Sequence, residues 1–268
     1  MKPLVSIITP TYNSAATIAN TIQSAIAQSY LDWEMIIVDD ASADNTIDIV
    51  KQLQHKESRI SLVQLDSNAG AAFARNTAIK LAKGRYIAFL DSDDCWKVSK
   101  LSKQIHFMQS NGLSFSFTAY EKVNEYNEYI GDVGVPETVD YPALLKSNII
   151  GCLTAIYDTK YIGKVYMPEI RTRQDYGLWL DILKNHTVVA YGLNEVLATY
   201  SVRSDSISSN KKKAAFNTFK LYKDVEELGS MKSVYYFCHY SLRGLIKSRF
   251  PKLALMLRLN KTPNNIHQ

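Results

Sequence analysis

The stretch YIAFLDSDDCW, residues 86–96, runs from an apolar segment directly into three carboxylates. Its first five residues have the continuous apolar character of a strand that is buried on both faces. Asp91, Asp93 and Asp94 follow where that strand ends. A single acidic pair after a strand is usually structural, because Asp turns the chain or caps the next helix. Several carboxylates together, however, repel one another unless a cation or hydrogen-bond donors hold their charge.

Strands and helices alternate over the first 98 residues. Strands are predicted at LVSIIT, WEMIIVDD, ISLVQL and RYIAFLDSDD. Helices are predicted at NSAATIANTIQSAIAQ, ADNTIDIVKQLQ and GAAFARNTAIKLAKG, the last closed by Gly84 at a C′ position. This alternation predicts an α/β fold with a parallel sheet that helices cover on both faces.

A second acidic pair, Asp39 and Asp40, ends the second predicted strand. Ligands bind parallel sheets at the carboxyl ends of the strands, so both acidic clusters are expected at one crevice. Oxygen ligands in this arrangement favour a hard divalent cation, Mg²⁺ or Mn²⁺, together with a nucleotide. The first strand is not followed by a G-x-G-x-x-G turn, and the chain has no P-loop, so these two phosphate-binding devices are excluded.

Length and composition indicate one globular domain, with at most a small appendage. The chain has 268 residues, 46% of them hydrophobic, which is enough to bury a full core. No apolar run reaches the roughly 18 residues that a membrane span needs, and LVSII is too short for a signal peptide, so we expect a cytoplasmic protein. Cys95, Cys152 and Cys238 lack CxxC spacing and are expected to be reduced thiols.

Positive charge is concentrated at the C-terminus. Residues 203–268 hold 13 Lys and Arg against 4 Asp and Glu, whereas the rest of the chain holds 18 against 22. No nucleic-acid-binding signature accompanies this charge, so no nucleic-acid partner is expected. Peripheral contact with an anionic membrane is one interpretation, since His239, Arg243 and Lys247 recur at four-residue intervals on a predicted aromatic-rich helix. The run PKLALMLRLNK adds a short apolar stretch edged by Lys252, Arg258 and Lys261. The alternative is that this helix packs on its own domain.

Four motifs stand in the order that is typical of one enzyme family. They are VSIITPTYNSAATIANTIQSAIAQSYLDWEMIIVDDASADNT, GAAFARNTAI, GRYIAFLDSDDCW and RTRQDYGLWLDIL. Over residues 4–200 the chain resembles family 2 glycosyltransferases, which are inverting enzymes with the GT-A fold. The stretch IIGCLTAIYDTKYIGKVYMPEIRTRQDYGLWLDIL also resembles the subgroup that builds surface polysaccharides such as teichuronic acid. The resemblance implies a Rossmann-like, mostly parallel central sheet flanked by helices, with a C-terminal helical appendage.

The resemblance assigns the nucleotide-sugar donor to residues near the strand ends. The implied contacts are Thr9, Pro10, Tyr12 and Asn13 around the base, Asp40 with Asp39 at the base or ribose, and Arg75 at the diphosphate. Tyr12 would stack on the base, although an aromatic residue near a strand end can instead belong to the core. The alternative for Arg75 is an ordinary solvated arginine.

The DxD motif and the RQD motif carry the implied chemistry. In DSD, residues 91–93, Asp93 is expected on the metal, Asp91 near the ribose and Ser92 within the donor site. Asp175 is the implied catalytic base, because inversion requires a group that removes the proton of the acceptor hydroxyl. An alternative role for Asp175 is to cap the helix YGLWLDILK.

Four residues in three motifs depart from the family pattern or match it weakly. Gln174 stands where relatives often have Glu before the catalytic Asp, and Val98 and Ser99 replace a common Pro-Asp pair. Arg203 stands where many relatives place a basic residue or His that closes over the diphosphate. It is therefore expected either to bind phosphate or to be the first charge of a basic tail.

These inferences predict a metal-dependent inverting glycosyltransferase that uses a nucleotide diphosphate sugar, uridine-linked by family preference. The expected acceptor is a glycan or a polyprenyl-linked saccharide of surface-polysaccharide assembly. The predicted division is 1–202 for the GT-A domain, with 1–98 for the donor and 99–202 for the acceptor, and 203–268 for a basic helical region. The rival hypotheses are a sugar-nucleotide pyrophosphorylase, which would need a glycine-rich phosphate loop, and an inactive carbohydrate-binding or scaffold domain.

Overall fold

The computed structural model describes residues 4–202, 211–257 and 259–264. The strands are β1 Val5–Thr11, β2 Trp33–Asp39, β3 Ile60–Gln64, β4 Tyr86–Phe89, β5 Cys95–Trp96, β6 Phe115–Val123, β7 Tyr129–Val133, β8 Thr138–Val139, β9 Ile156–Asp158 and β10 Ala190–Ser201. The helices are α1 Ile18–Ile26, α2 Thr46–Gln54, α3 Ala71–Leu81, α4 Lys100–Ser110, α5 Tyr141–Lys146, α6 Thr159–Ile162, α7 Gln174–Asn185, α8 Lys211–Asp224, α9 Ser230–Arg249 and α10 Pro251–Met256.

The strands form one sheet in the order β3-β2-β1-β4-β9-β6-β10-β5, with β7 beside β6 and β8 beside β10. β1 is parallel to both β2 and β4, β2 is parallel to β3, and β10 is parallel to β6. Strand β9 lies between β4 and β6 and is antiparallel to both. The predicted mostly parallel sheet is confirmed, and β9 separates the parallel strands β1 to β4 from the parallel pair β6 and β10.

Both faces of the sheet are buried, which explains why β4 has no polar side of its own. In β4, Ile87 and Phe89 belong to one core cluster, whereas Tyr86 and Ala88 belong to the cluster on the opposite face. Helices α3, α5 and α7 cover the first face, and α1, α2 and α4 cover the second. Alternate residues of each strand therefore pack on different helices, and none of these strands needs a polar face.

Two local predictions need correction. Helix α3 ends at Leu81, so Gly84 is not its C′ residue. A side chain at Gly84 would lie 2.6 Å from the backbone nitrogen of Ser6, and close approach to β1 is the reason for glycine there. The apolar stretch CLTAIYD predicts a strand, but a 3₁₀ turn at Cys152–Thr154 forms its first part, and β9 begins only at Ile156.

The C-terminal helices pack on the body of the protein. Leu221 and Tyr222 of α8 belong to the same core cluster as Trp179 of α7. The hydroxyl of Tyr222 lies 2.9 Å from that of Tyr176. Helix α9 packs on α5 and α8. Among the residues in the described ranges, no helix is long and apolar enough to cross a membrane.

Candidate active site

A cleft of about 1010 Å³ opens where β1, β2 and β4 end. It lies at the edge of the sheet at which ligands of parallel α/β proteins bind. The strand ends, the start of α3, the loop before α7 and helix α8 surround it. The lining residues are Pro10, Thr11, Tyr12, Asp40, Asn68, Gly70, Ala71, Arg75, Asp91, Ser92, Asp93, Glu169, Ile170, Arg171, Thr172, Asn217, Lys220, Leu221, Asp224 and Val225.

The loop after β1 presents an aromatic ring and is anchored on both sides. Tyr12 lines the cleft and is 50% exposed, so its ring face is open to a ligand. Asn13 adopts a left-handed backbone conformation with φ of 47°. Its backbone nitrogen donates to Ser42, and its side-chain oxygen accepts from the backbone of Ala43. Asn13 thus ties the β1 loop to the β2 loop and does not itself line the cleft.

The two carboxylates after β2 hold backbone turns. Asp39 is fully buried, and its oxygens accept hydrogen bonds from the backbone and hydroxyl of Ser42 at 2.9 and 2.6 Å. Asp40 lines the cleft and accepts from the backbone nitrogens of Ala69 and Gly70 at 2.7 and 2.8 Å. Asp40 therefore fixes the loop that leads into α3, where Gly70 has φ of 93°.

An ion pair connects α3 to the DxD motif. The Arg75 guanidinium donates to Asp91 at 2.6 Å, and the Arg75 side chain is only 9% exposed. Burial opposes the charge of Arg75, but Asp91 and, to a smaller degree, Cys152 and Asp175 raise its pKa. The Nε atom of Arg75 is buried without a hydrogen-bond partner among the described atoms. Arg75 is thus a buried cation, not the solvated arginine of the alternative interpretation.

The rest of the acidic loop is half-buried or buried. Ser92 and Asp93 line the cleft, and the Ser92 hydroxyl lies 2.8 Å from that of Ser14. Asp94 points away into the protein, where its carboxylate accepts from the backbone of Ser201 at 3.0 Å. Burial, and then the charges of Asp93 and Asp91, raise the pKa of Asp94 well above its usual range. The carboxylates that face the cleft are therefore Asp91 and Asp93.

Asp175 is the second residue of α7. Arg173, with φ of 68°, occupies the N-cap position, so Asp175 is not the N-cap of this helix. The helix is fixed by Trp179, whose ring packs 5.2 Å from that of Phe89 at the end of β4. Burial raises the pKa of Asp175, while the positive charge of Arg75 opposes this increase. Asp175 therefore lies within the electrostatic range of the Arg75–Asp91 pair.

Residues 6–145 match the domain described as Glycosyl transferase family 2. The matched segment covers the β1 loop, both acidic clusters and the β6–β7 hairpin. The chain belongs to glycosyltransferase family 2.

Close relatives of this glycosyltransferase extend over nearly its full length. It is 47% identical over 249 residues to the Bacillus subtilis protein named "Putative teichuronic acid biosynthesis glycosyltransferase TuaG", covering 92% of this chain and 98% of that one. It is 40% identical over 247 residues to the Escherichia coli "UDP-Glc:alpha-D-GlcNAc-diphosphoundecaprenol beta-1,3-glucosyltransferase WfgD", covering 92% and 96%.

Solved structures of similar proteins share the fold. The Staphylococcus aureus protein TarS in complex with UDP-GlcNAc superposes with a TM-score of 0.68 at 22% identity, covering 97% of this chain and 76% of that one. The Pyrobaculum calidifontis mannosyltransferase PcManGT, in complex with GDP-Man and Mn²⁺, gives 0.67 at 17% identity, covering 96% and 79%. At these identities the likeness concerns the fold, and it supports the GT-A architecture.

The glycosyltransferase cleft gathers most of the predicted donor residues. Those that line it are Pro10, Tyr12, Asp40, Arg75, Asp91, Ser92 and Asp93. Thr9, Asn13, Asp39 and Asp175 do not line it: Thr9 is fully buried in β1, and Asn13 and Asp39 support the neighbouring turns. Arg203 lies outside the described residues.

The opposite side of the cleft carries residues that no sequence motif indicated. Asn217 and Lys220 of α8 line it, as does Glu169 in the loop before α7. Two polar residues spaced i, i+3 on a basic amphipathic helix look the same in the sequence whether they face a cleft or open solvent. Cys152, a free thiol, does not line the cleft; burial raises its pKa well above the usual range, and the charges of Asp91 and Arg75 act on it.

Proposed function

We propose that this family 2 glycosyltransferase transfers a sugar from a uridine diphosphate sugar to a hydroxyl group of a lipid-linked glycan during surface-polysaccharide assembly. The observation that carries the proposal is the meeting of Tyr12, Arg75 and the DxD residues Asp91 and Asp93 at one cleft. An open ring, a buried guanidinium and two carboxylates suit the base, the diphosphate and a cation in turn.

Residues of the first 98 positions would bind the donor. Tyr12 offers an exposed ring on which the base can stack. Asp40 lies beside it at the cleft and can accept a hydrogen bond from the base or ribose with its remaining lone pairs. The Arg75 guanidinium, which Asp91 orients, would contact the diphosphate. Thr9, Asn13 and Asp39 would support this region through the β1 and β2 loops.

The cleft offers oxygen ligands that suit Mn²⁺ or Mg²⁺. Asp91 and Asp93 both line it and offer hard oxygen ligands, which these ions prefer. No group of three or more His, Cys, Asp and Glu side chains that could hold a metal ion occurs in the described part of the chain. The donor diphosphate would therefore supply further oxygen ligands beside Asp93. When bound, the ion supplies charge neutralisation for the departing diphosphate.

Asp175 would act as the base of an inverting displacement. The acceptor oxygen forms a bond to the anomeric carbon while the bond to the diphosphate oxygen breaks, and the hydroxyl proton passes to a carboxylate. The pKa of Asp175 is raised by burial, which makes it a stronger base than an exposed Asp. Its position near the Arg75–Asp91 pair supports this role.

Two named relatives support the proposed identity of the substrates. WfgD is named for UDP-Glc and a diphosphoundecaprenol-linked GlcNAc, and TuaG for teichuronic acid biosynthesis. The TarS complex contains UDP-GlcNAc, and the PcManGT complex contains Mn²⁺. By analogy we infer a uridine-linked donor, a lipid-linked acceptor, and work at the cytoplasmic face of the cell membrane.

The cleft also supports the proposed division into a donor half and an acceptor half. The donor residues come from positions up to Asp93, and the loop 169–172 faces them from the predicted acceptor half. A pyrophosphorylase would need a glycine-rich phosphate loop after β1, where this chain has TPTYNSA. An inactive scaffold would need neither the proposed metal ligand Asp93 nor the proposed base Asp175.

Donor hydrolysis without an acceptor tests the proposal. The protein is incubated with Mn²⁺ and a panel of uridine, guanosine and thymidine diphosphate sugars, and the released nucleoside diphosphate is measured. We expect slow hydrolysis of a uridine diphosphate sugar that stops when the metal is chelated. Synthesis of a nucleotide sugar from a nucleoside triphosphate and a sugar 1-phosphate would identify a pyrophosphorylase. Absence of binding and hydrolysis for every donor would contradict the proposal.

A further inference from the structure

Helix α9 carries an exposed apolar stripe on the side that faces away from the body. Met231, Tyr235, Leu242 and Leu245 lie on this side with exposed fractions of 88, 51, 56 and 52%. Their spacing of three, four or seven residues keeps them on one helical face. The inner face of α9 is different, because Phe237 packs against the core there.

The apolar exposure continues through α10. Of the 22 large hydrophobic residues that are exposed among the described residues, ten lie between Met231 and Leu257. Phe250, Leu253 and Met256 are among them, with exposed fractions of 55, 38 and 76%. We call the exposed apolar side chains from Met231 to Leu257 the tail face. Isolated exposed hydrophobic residues are normal on proteins, but such a concentration marks an interaction surface.

The segment that carries the tail face is cationic in sequence. The sequence contains no Asp or Glu after Glu227, although it contains seven Lys and Arg there. Lys232, Arg249, Lys252 and Lys261 are exposed. An apolar helical face with basic flanks and no acidic residue matches a membrane interface with anionic lipids.

The sequence-predicted basic row does not form this surface. Lys247 donates to the Ser147 hydroxyl at 3.1 Å, and burial together with Arg243 lowers its pKa. His239 is half-buried and packs on the ring of Tyr235 at 4.6 Å. The face that carries Lys247 therefore packs on the body, and the opposite, apolar face remains exposed.

We propose that the tail face docks the protein on an anionic lipid bilayer. The apolar side chains would enter the boundary between headgroups and acyl chains, and Arg249 and Lys252 would contact acidic headgroups. A symmetric contact with a second copy of this chain would bring cations onto cations, with no acidic residue from this segment to pair with them. Charge complementarity thus favours the bilayer over a dimer.

Docking would place the cleft one helix away from the lipid. Helix α8 lines the cleft with Asn217 and Lys220 and packs on α9. The functional meaning of this placement rests on the proposed function, because a lipid-linked acceptor is reached only at the membrane. Lipid binding itself is measured without donor or acceptor, so failure of the docking proposal and failure of the proposed function are distinguishable.

Co-sedimentation of the full chain with vesicles tests the proposal. Vesicles of phosphatidylcholine with phosphatidylglycerol are compared with vesicles of phosphatidylcholine alone, at low and high salt. Arg249→Gln combined with Lys252→Gln should weaken binding to the anionic vesicles roughly 30-fold, because each cation near an acidic surface contributes about 1 kcal/mol. Leu242→Ser combined with Leu245→Ser should weaken it at least tenfold.

Matched variants exclude general effects. Lys51→Gln with Lys56→Gln removes two exposed cations from the region of α2, and Leu31→Ser removes an apolar side chain that is 68% exposed outside the tail face. Both controls should bind vesicles like the unchanged chain. Equal binding of all variants, absence of binding at low salt, or a dimer in light scattering that Leu242→Ser with Leu245→Ser dissociates would overturn the proposal.

Discussion

Two sides of the cleft are held in place in different ways. On the side of the strand ends, Asp40 is bonded to two backbone nitrogens, and Asp91 is paired with the buried Arg75. On the side of α8, Lys220 is exposed, and Asn217 makes one side-chain hydrogen bond, to Thr172 at 2.8 Å. The first side is held by hydrogen bonds to the backbone and by a buried ion pair, whereas the second side is solvated.

This difference matches what the two substrates would require. A nucleotide diphosphate presents the same charges and hydrogen-bonding groups in every donor, so its site gains from preorganised partners. Acceptors differ among surface glycans, and a solvated helix surface can change without disturbing the core. We therefore expect substitutions on the strand side to abolish turnover and substitutions on α8 to change acceptor affinity.

The largest effect is expected for Asp93→Asn. This change removes one negative charge from the proposed cation site while the side-chain size is kept, so turnover should fall by roughly three orders of magnitude or more. Titration calorimetry with uridine diphosphate, with and without Mn²⁺, should show metal-dependent affinity for the unchanged protein and little metal dependence for the variant.

Asp94→Asn is the matched control for the metal site. The Asp94 carboxyl group does not line the cleft, and burial raises its pKa well above the usual range. The amide can still accept the hydrogen bond from Ser201. We expect far smaller losses than for Asp93→Asn, and equal losses in the two variants would contradict the assignment of the metal ligand.

Asp175→Asn should separate binding from chemistry. Affinity for uridine diphosphate should stay within a few-fold, while acceptor-dependent turnover falls by about 10²- to 10⁴-fold, the usual contribution of a general base. The two quantities are measured by calorimetry and by single-turnover transfer. Transfer at the unchanged rate would show that Asp175 has only a structural role at the start of α7.

The same residue predicts a pH dependence. A base works in its deprotonated form, and burial raises the pKa of Asp175. Activity should therefore increase with pH through a value above the pKa of about 4 that is usual for Asp. The acidic limb of the kcat/KM profile should lie above that value, and Asp175→Asn should lose this limb.

The same contrast explains what could be predicted from the sequence. The acidic residues of the strand side follow apolar strands directly, and the parallel topology alone brings Asp40 and Asp91 to one edge. Arg75 was expected from the family resemblance, but its burial depends on tertiary packing. Asp39 could not be distinguished from Asp40, because which carboxylate faces the cleft depends on the turn that Ser42 closes.

The α8 side could not be predicted for a physical reason. Lys220 and Asn217 stand in a helix whose composition suits any solvated surface, and only its docking through Leu221 and Tyr222 gives these residues a place at the cleft. The tail helix shows the same limit: charge periodicity suggested that the face with Lys247 contacts lipid, but that face packs on the body. The periodicity of charged residues shows which of them share a helix face, but only the packing of the helix shows what that face contacts.

Lys220→Ala tests the solvated side of the cleft. We expect KM for the acceptor to rise about three- to tenfold, since one exposed charged contact is lost, with slow donor hydrolysis unchanged. Lys223→Ala is the matched control, because Lys223 is exposed on the same helix but does not line the cleft. A loss of donor hydrolysis in Lys220→Ala would place α8 on the donor side instead and remove the distinction between the two sides.

The smallest effect on activity is expected for Lys100→Met. This variant tests how a buried charge outside the cleft affects the free energy of unfolding. Lys100 is fully buried at the start of α4, its Nζ atom has no hydrogen-bond partner among the described atoms, and it lies 4.0 Å from the centre of the Trp96 ring. Burial lowers the pKa of its ammonium group well below the usual range. In the unfolded chain Lys100 stays protonated up to a pH of about 10.4. Between these two pKa values the unfolded state binds one proton more, so the free energy of unfolding should rise with pH in that window.

Methionine keeps the length of the Lys100 side chain and removes the titrating group. Lys100→Met should therefore raise the free energy of unfolding at pH 7 by about 1 to 3 kcal/mol and flatten its increase with pH, with turnover unchanged. Lys103→Met on the same helix removes an exposed ion pair with Glu195 and should change stability by less than about 1 kcal/mol. Urea unfolding at several pH values measures both variants. If Lys100→Met is instead destabilised, the attraction between the ammonium group and the Trp96 ring outweighs the desolvation of the charge, and buried charge stabilises this protein outside the cleft as well as within it.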